Sequence, residues 1–417
     1  MLHTQTGEIT EKPPPDIQNE KPQEKDKKIE KPRQLIHIVM DYIAEFYDLR
    51  YNTITNTLEI KRRDEYETQY RECNENDLLC ELLSNGIKVS DKLLKIILGS
   101  SFIEQYNPFV AYFEKLPKWD KTQPDYITQL ANHVKAKDQE RFNRHFKKMF
   151  VRIVRSVYEP AYYNKHCFVL VHDKQNSGKT TFCEYLCPAP LRDYMTSDFS
   201  VSDKDGLIAL TENLLINLDE LATLSKADIN QLKSFFSKTY IKVRKPYARK
   251  ASVAHRVASF IGSTNNLEFL TDETGSVRWL CFEIESIDWS YRQKINMDNV
   301  YAQALYLYQN GNTGQLTQEE IQENDYINRQ YQVSTLEMHA IQSRYEPCEE
   351  NDPEAIRLTS SELLNELSEL FKQVGHRSNI IILGRALKYL GYIQVTTREN
   401  NIPIKKWVLK KKTNVPF

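Results

Sequence analysis

The stretch "HDKQNSGKTTF", His172 to Phe182, holds three residue types in an order that suits one ligand. Gly178 leaves backbone amides open to an anion, Lys179 brings an ammonium, and Thr180 brings a hydroxyl that can face Mg²⁺. A nucleoside triphosphate meets all three, so Asn176, Ser177, Gly178, Lys179, Thr180 and Thr181 form the candidate nucleotide cradle. The first glycine of the G-x-x-x-x-G-K-[ST] pattern is replaced by Asp173. That glycine mainly turns the chain and Asp tolerates turns, so the Asp173 carboxylate is expected to face outward. A ligand-free strand, turn and helix is the plainer alternative.

Further acids and amides follow at strand ends. "LLINLDEL" is an apolar run that delivers Asp219 and Glu220 at its carboxyl end. Adjacent acids there suit a nucleotide hydrolase, with Asp219 and Thr180 holding the hydrated metal and Glu220 polarising the attacking water. Helix capping by the Asp-Glu pair is the alternative. "SFIGSTNN" places Asn265 where its amide can stand beside a γ-phosphate, or where it only forms a turn. Arg278 in "TGSVRW" is a lone cation between Arg256 and Arg292, suited to an arginine finger reaching a neighbouring subunit or to a surface ion pair. From Ser237 to Phe260 seven cations occur with no acid, and Tyr240 and Tyr247 are interleaved. Lys242, Arg244, Lys245, Tyr247, Arg249 and Lys250 are therefore candidate contacts to a phosphodiester backbone. The terminal Lys405, Lys406, Lys410, Lys411 and Lys412 form a second basic patch that serves binding or solubility equally well.

The elements that must position these groups are readable from pattern. "CFVLV" (Cys167 to Val171), "LLINL" (Leu214 to Leu218) and "VASFIG" (Val257 to Gly262) are continuous apolar runs, as expected of strands covered on both faces in an α/β sheet spanning 161–290. Residues 35–160 read as a mostly helical N-terminal module. It contains a short hairpin in "RYNTITNTLEIK" and an amphipathic helix whose apolar face carries Phe142, Phe146, Phe150 and Ile153. The basic residues opposite that face read as solvated. Helical periodicity fills 291–350. Residues 351–417 read as helix, helix and β-hairpin, a winged-helix-like domain that opens with a capping box from Thr359 to Glu362. Residues 1–34 hold too little apolar surface to fold and read as a disordered tail.

The whole-chain balance agrees. Length alone suggests about three domains at roughly 150 residues each. Lys plus Arg number 56 against 57 Asp plus Glu, a net charge of −1, so nucleic-acid contact must come from local clustering. The seven cysteines contain no CxxC pair, which supports neither a zinc finger nor a disulfide framework. No apolar run approaches a membrane span, so a soluble, cytoplasmic protein is expected.

Taken in order, "NPFVAYFEKLPKWD", "NSGKTTF", "LINLDEL", "LKSFFSK", "VRKPYARKA", "FIGSTN" and "TGSVRW" resemble the virulence-associated protein E family across residues 105–290. The ATPase domain of that family is related to superfamily 3 helicases of the AAA+ class. The resemblance implies a P-loop NTPase core with Lys179 and Thr180 as Walker A residues and Asp219 and Glu220 as Walker B. It implies Asn265 as sensor 1, Arg278 as the trans-acting finger and the basic segment as a DNA-contacting hairpin. It also implies a replication role in a phage or other mobile element, with a primase or other replication protein as partner. No primase half is apparent before residue 105, where paired carboxylates on strands and metal-binding cysteines are both missing.

The reading is thus an ATP- and Mg²⁺-dependent helicase or translocase acting on single-stranded DNA as a ring, expected to be a hexamer. Two rivals remain: a nucleotide-regulated DNA-binding initiator or scaffold without motor activity, and a small-molecule phosphotransferase. Glu220 and the basic segment argue against the phosphotransferase.

Overall fold

A computed structural model describes residues 34–64, 69–201, 203–223, 225–243, 251–270, 276–370, 379–399 and 401–412. The expected tail lies outside these residues except for Gln34. The chain separates into two compact units, one drawn from the stretches up to Arg50 and Leu58–Glu104, the other from Tyr51–Thr57 and Gln105 onward.

The smaller unit runs α1 (Leu35–Phe46), β1 (Tyr47–Asn52), β2 (Thr57–Arg62), β3 (Arg71–Glu72), α2 (Glu75–Ser84) and α3 (Asp91–Leu98). β2 pairs antiparallel with β3. Asn74 and Ser90 cap the last two helices by accepting from the N–H groups of Asn76 and Leu93. Val39, Ile43, Leu78, Leu82, Leu94 and Ile97 fill its interior.

Past β4 (Glu104–Tyr106), the larger unit begins with α4 (Pro108–Glu114), whose proline at the first turn and Asn107 cap fix its start. α5 (Tyr126–Ala131) and β5 (Val134–Ala136) lead to α6 (Gln139–Tyr158). The apolar face of α6 carries the expected phenylalanines, and it covers the sheet: Phe142 and Phe146 lie 5.4 and 5.6 Å from the ring of Phe168. Residues 105–160 therefore belong with the sheet in the larger unit, where the aromatic face of α6 is buried against Phe168 and Phe282. The opposite face is not simply solvated. Arg144 and Lys148 pair with Glu320, Lys147 pairs with Asp125, and Arg141 and Arg152 are buried.

The sheet comprises β6 (Cys167–Val171), β7 (Met195–Thr196), β8 (Leu215–Leu218), β11 (Ser259–Thr264) and β12 (Trp279–Ile287) in parallel, with β5 antiparallel along the far edge of β12. The order is β5-β12-β6-β11-β8-β7. Alternate residues of β6 face opposite cores: Phe168 and Leu170 join the α6 side, Cys167, Val169 and Val171 the other. Burial on both faces explains why its sequence shows no alternation. α7 (Lys179–Tyr185) follows β6, α8 (Lys204–Glu212) precedes β8, and α9 (Lys226–Phe236) follows it. β9 (Tyr240–Val243) and β10 (Ser252–His255) form a separate antiparallel hairpin before β11.

After β12 come α10 (Tyr291–Lys294), α11 (Met297–Gln309), α12 (Gln318–Asn328), α13 (Leu336–Arg344) and β13 (Tyr345–Glu346). β14 (Ile356–Leu358), α14 (Ser360–Leu370), α15 (Ile380–Tyr389), β15 (Gln394–Glu399) and β16 (Ile402–Lys411) close the chain, with β13, β14 and β15 all pairing with β16. Their core of Leu363, Leu367, Leu383, Leu387 and Trp407 also takes in Met338 and Ile341 of α13, so this cluster starts earlier than residue 351. Among the described residues no helix is long and apolar enough to cross a membrane.

Candidate functional site

The carboxyl ends of β6, β8 and β11 open onto a cavity of about 520 Å³. It forms beside β6, where the chain leaves in one direction for β7, β8 and β11 and returns on the other side as β12. Open α/β sheets bind ligands at such reversals. Asn176–Thr181, Asp219, Glu220, Ser263–Asn265 and Trp289 line it.

The loop after β6 reaches this shape through two residues in the left-handed region, Asn176 at φ +56 and Gly178 at φ +81. A side chain at Gly178 would meet strain of about 1–2 kcal/mol and a direct obstacle, since a Cβ would sit 2.5 Å from Cζ2 of Trp289. Lys179 opens α7 and is buried. Its ammonium donates to His172 O at 3.3 Å, Lys174 O at 3.1 Å and Ser177 Oγ at 2.9 Å. Burial pulls its pKa below the ordinary lysine range, against the opposing pull of Asp219. Every donor of this cation is thus parked on its own loop, where an incoming phosphate oxygen can exchange for it.

Thr180 Oγ1 donates in a fork to the Asp219 carboxylate at 3.0 and 3.1 Å. Ser263 Oγ donates to the same carboxylate, and the Glu220 N–H reaches Asp219 Oδ1 at 3.1 Å. Glu220 stands at φ +49, the one non-glycine residue other than asparagine in that region among the described residues. Strain of this kind concentrates at working sites. Asn265 borders the cavity from the end of β11. Asp173 does not border it: its side chain is 72% exposed, beside His172, as expected.

An oxygen-only donor set of one carboxylate and one hydroxyl fits Mg²⁺, which keeps several waters and shares substrate phosphates. No group of three or more His, Cys, Asp or Glu among the described residues forms a cage for a softer metal.

Four cavity residues escaped the sequence reading, Gln175 and Thr264 beside named candidates and Ser263 and Trp289 for reasons of topology. Ser263 sits inside a strand run read for its apolar content, and its contact to Asp219 depends on β11 lying next to β8. Trp289 follows the end of β12, so only the pairing of β12 with β6 brings it over the loop. Its turn is held by Asp288, which accepts from Ser290 N–H at 3.0 Å, Ser290 Oγ at 2.6 Å and His133 Nδ1 at 2.9 Å. The Ser290 hydroxyl, with its N–H and then His133, holds the Asp288 carboxyl down to about 2.

Other candidates lie at the opposite edge. Trp279 pairs with Cys167, the first residue of β6, which sets Arg278 roughly 15 Å along the strands from the cavity. Arg278 donates to Ser237 Oγ at 3.3 Å and does not border the cavity of its own chain. The β9–β10 hairpin rises from the same edge, ahead of the amino end of β11. Lys242 is exposed on β9, whereas Arg244, Lys245, Tyr247, Arg249 and Lys250 lie outside the described residues. Arg256 must leave the list of free cations. It is wholly buried, and its guanidinium donates to the carbonyls of Phe235, Phe236, Asn164 and Ala258. In the C-terminal patch, Lys410 pairs with Glu354 at 2.6 Å and Lys411 with Glu366 at 2.8 Å, which cancels part of its charge.

A family model for the virulence-associated protein E-like domain matches residues 113–333, a span that contains every strand of the six-stranded sheet. No curated protein matches the chain. Among solved structures, "The apo structure of NrS-1 C terminal region (305-718)" aligns with a TM-score of 0.50 at 11% identity, covering 91% of this chain and 100% of that one. Two A-form apo structures of the same region reach a TM-score of 0.48, at 11% and 12% identity, covering 91% and 92% of this chain and 100% of theirs. At such identity the first likeness is one of α/β fold.

Proposed function

The chain belongs to the virulence-associated protein E-like family, and from that premise we propose that it is a P-loop ATPase driving a DNA helicase or translocase, serving replication of a phage or other mobile element. One observation carries the reading: Lys179, Thr180, Asp219, Glu220 and Asn265 come from the ends of three adjacent parallel strands to one cavity. A capping pair or a turn-forming asparagine would not need to meet a lysine there.

In this reading ATP enters with its phosphates along the loop. Lys179 leaves its own carbonyls for phosphate oxygens, the step that localises the negative charge of the substrate. Thr180 and Asp219 would hold Mg²⁺, which when bound neutralises charge on the transferring group. Glu220 polarises the attacking water and Asn265 orients it. Arg278 completes the site of an adjacent chain in a closed ring, expected to be a hexamer. The hairpin from β9 to β10 meets single-stranded DNA through Lys242 and the cations beyond it.

The helix-helix-hairpin order of α14, α15, β15 and β16 favours a second reading. There the C-terminal unit is a winged helix that recognises duplex DNA, and nucleotide only holds an initiator together. ATP turnover with and without single-stranded DNA, alongside native mass determination, separates the two. A ring whose turnover rises with DNA and vanishes in Lys179→Ala supports the motor. ATP binding with negligible turnover selects the initiator, and unchanged turnover in Lys179→Ala refutes the site itself.

A further inference from the structure

A second cavity, of about 290 Å³, opens at the amino end of β6, on the sheet edge away from the first. Its lining includes Arg152, Tyr162, Tyr163, Lys165, His166 and Leu316, and no carboxylate. Arg152 is only 1% exposed. It donates from Nε to Asn164 Oδ1 at 3.1 Å and from Nη1 to Gly314 O at 2.9 Å, while Nη2 makes no hydrogen bond among the described residues. A buried cation is ordinarily matched by an acid. Glu320, the acid whose charge reaches Arg152, is taken by Lys148 and Arg144, one and two turns earlier on α6. His166, 5% exposed, likewise presents a buried Nδ1 without a partner. Burial, then the nearby Arg152 and Lys165, keeps its imidazole neutral, so one ring nitrogen is free to donate.

Buried polar groups lacking partners cost free energy unless a ligand supplies the missing acceptor. Here Arg152, with its unused guanidinium nitrogen, and the neutral His166 both line one cavity, with the exposed Lys165 ammonium and the half-buried Tyr162 and Tyr163 beside them, the Tyr162 ring being already faced by the Arg155 guanidinium. That combination matches a phosphate ester: planar guanidinium and ammonium for the oxygens, the Tyr163 ring for an attached sugar or base. We propose that the Arg152–His166 cavity binds a phosphate ester, either an internucleotide phosphate of single-stranded DNA or the phosphate of a free nucleotide.

The DNA source rests on the translocase reading, and the placement agrees with it. Arg256, at the foot of the β9–β10 hairpin, donates to the carbonyl of Asn164, whose side chain accepts from Arg152. The cavity therefore continues the hairpin edge of the sheet, the edge that also carries Arg278, and stands apart from the nucleotide cavity at the other end of β6.

The test uses the full chain without ATP. Fluorescein-labelled oligo(dT) is titrated by anisotropy, and thymidine monophosphate is titrated separately by calorimetry, for wild type and Lys165→Glu. Lys165 is exposed, so its replacement leaves the interior intact. Occupancy by DNA lowers oligonucleotide affinity in the variant about tenfold, the worth of one charged hydrogen bond, and flattens the salt slope by about 0.7. In parallel, 4-thiothymidine in the oligonucleotide crosslinks to the peptide holding residues 161–166. Loss confined to the mononucleotide assigns the cavity to a free nucleotide. Unchanged affinity for both ligands, with no crosslink there, overturns the proposal. ATP affinity without DNA stays at the wild-type value in Lys165→Glu in every case, because the nucleotide cavity lies at the other end of β6, so failure of the cavity and failure of the ATPase reading are read separately.

Discussion

Two inactive variants should rescue each other if an adjacent chain completes each cavity. Arg278 precedes Trp279, which pairs with the first residue of β6, while Lys179 and Asp219 stand past the strand ends. The strand rise alone separates them by roughly 15 Å, beyond the span of an arginine side chain. Arg278→Ala should therefore abolish a contact made in trans, worth roughly 10³–10⁵ in turnover. Lys179→Ala removes a charge that, at about 4 Å and an effective dielectric near 20, contributes about 4 kcal/mol, or roughly three orders of magnitude. In an equal mixture half of all cavities keep Lys179, and half of those face a neighbour that keeps Arg278. About one quarter of the interfaces of a head-to-tail ring are then whole. Steady-state phosphate release from co-expressed chains should recover to about a quarter of the wild-type rate, and fall away on either side of the equal ratio. A mixture no faster than the sum of its parts, or an Arg278→Ala chain that hydrolyses ATP normally alone, would refute the reasoning.

Two further outcomes follow from the cavity wall. Ser263→Ala removes one of the donors fixing the Asp219 carboxylate, a charged hydrogen bond of about 1.5–3 kcal/mol. The Mg²⁺ concentration for half-maximal turnover should rise about tenfold, with a fall in thermal stability of the same order as that bond; an unchanged Mg²⁺ requirement would show that Ser263 does not position Asp219. Asp288 has its carboxyl held down from 3.8 to about 2 by the turn that carries Trp289. A depressed carboxyl stabilises the fold above its unfolded value and loses that contribution as pH falls through about 2. Trp289 emission should change over that acid window, and Asp288→Asn should erase the change; an identical titration in the variant would disprove the link.

The carboxyl edge of the sheet was visible in the sequence because buried parallel strands lack alternation and end in short polar runs. Asp219 follows its strand directly, Asn265 stands at the end of β11 and Lys179 closes the polar loop after β6, so bringing them to one cavity needed only the sheet. Ser263 and Trp289 were hidden because each acquires its neighbour from strand order, which local pattern does not encode. Arg256 read as a cation of the segment facing nucleic acid and Arg152 as a solvated charge for the same reason: their burial depends on carbonyls contributed by Phe235, Asn164 and Gly314. The 35–160 boundary followed helical periodicity, yet periodicity says nothing about which sheet an apolar face will cover. α6 joined the larger unit through Phe142 and Phe146.

β11 has one more consequence. All six of its residues are buried, and parallel partners clamp it on both sides. Asn265 extends from one end and the hairpin hangs from the other. A segment gripped this way cannot stretch or buckle, so it acts as a fixed spacer. The distance from Asn265 to the foot of the hairpin is held by the sheet itself, and any relative movement of the two must come from the loops beyond its ends.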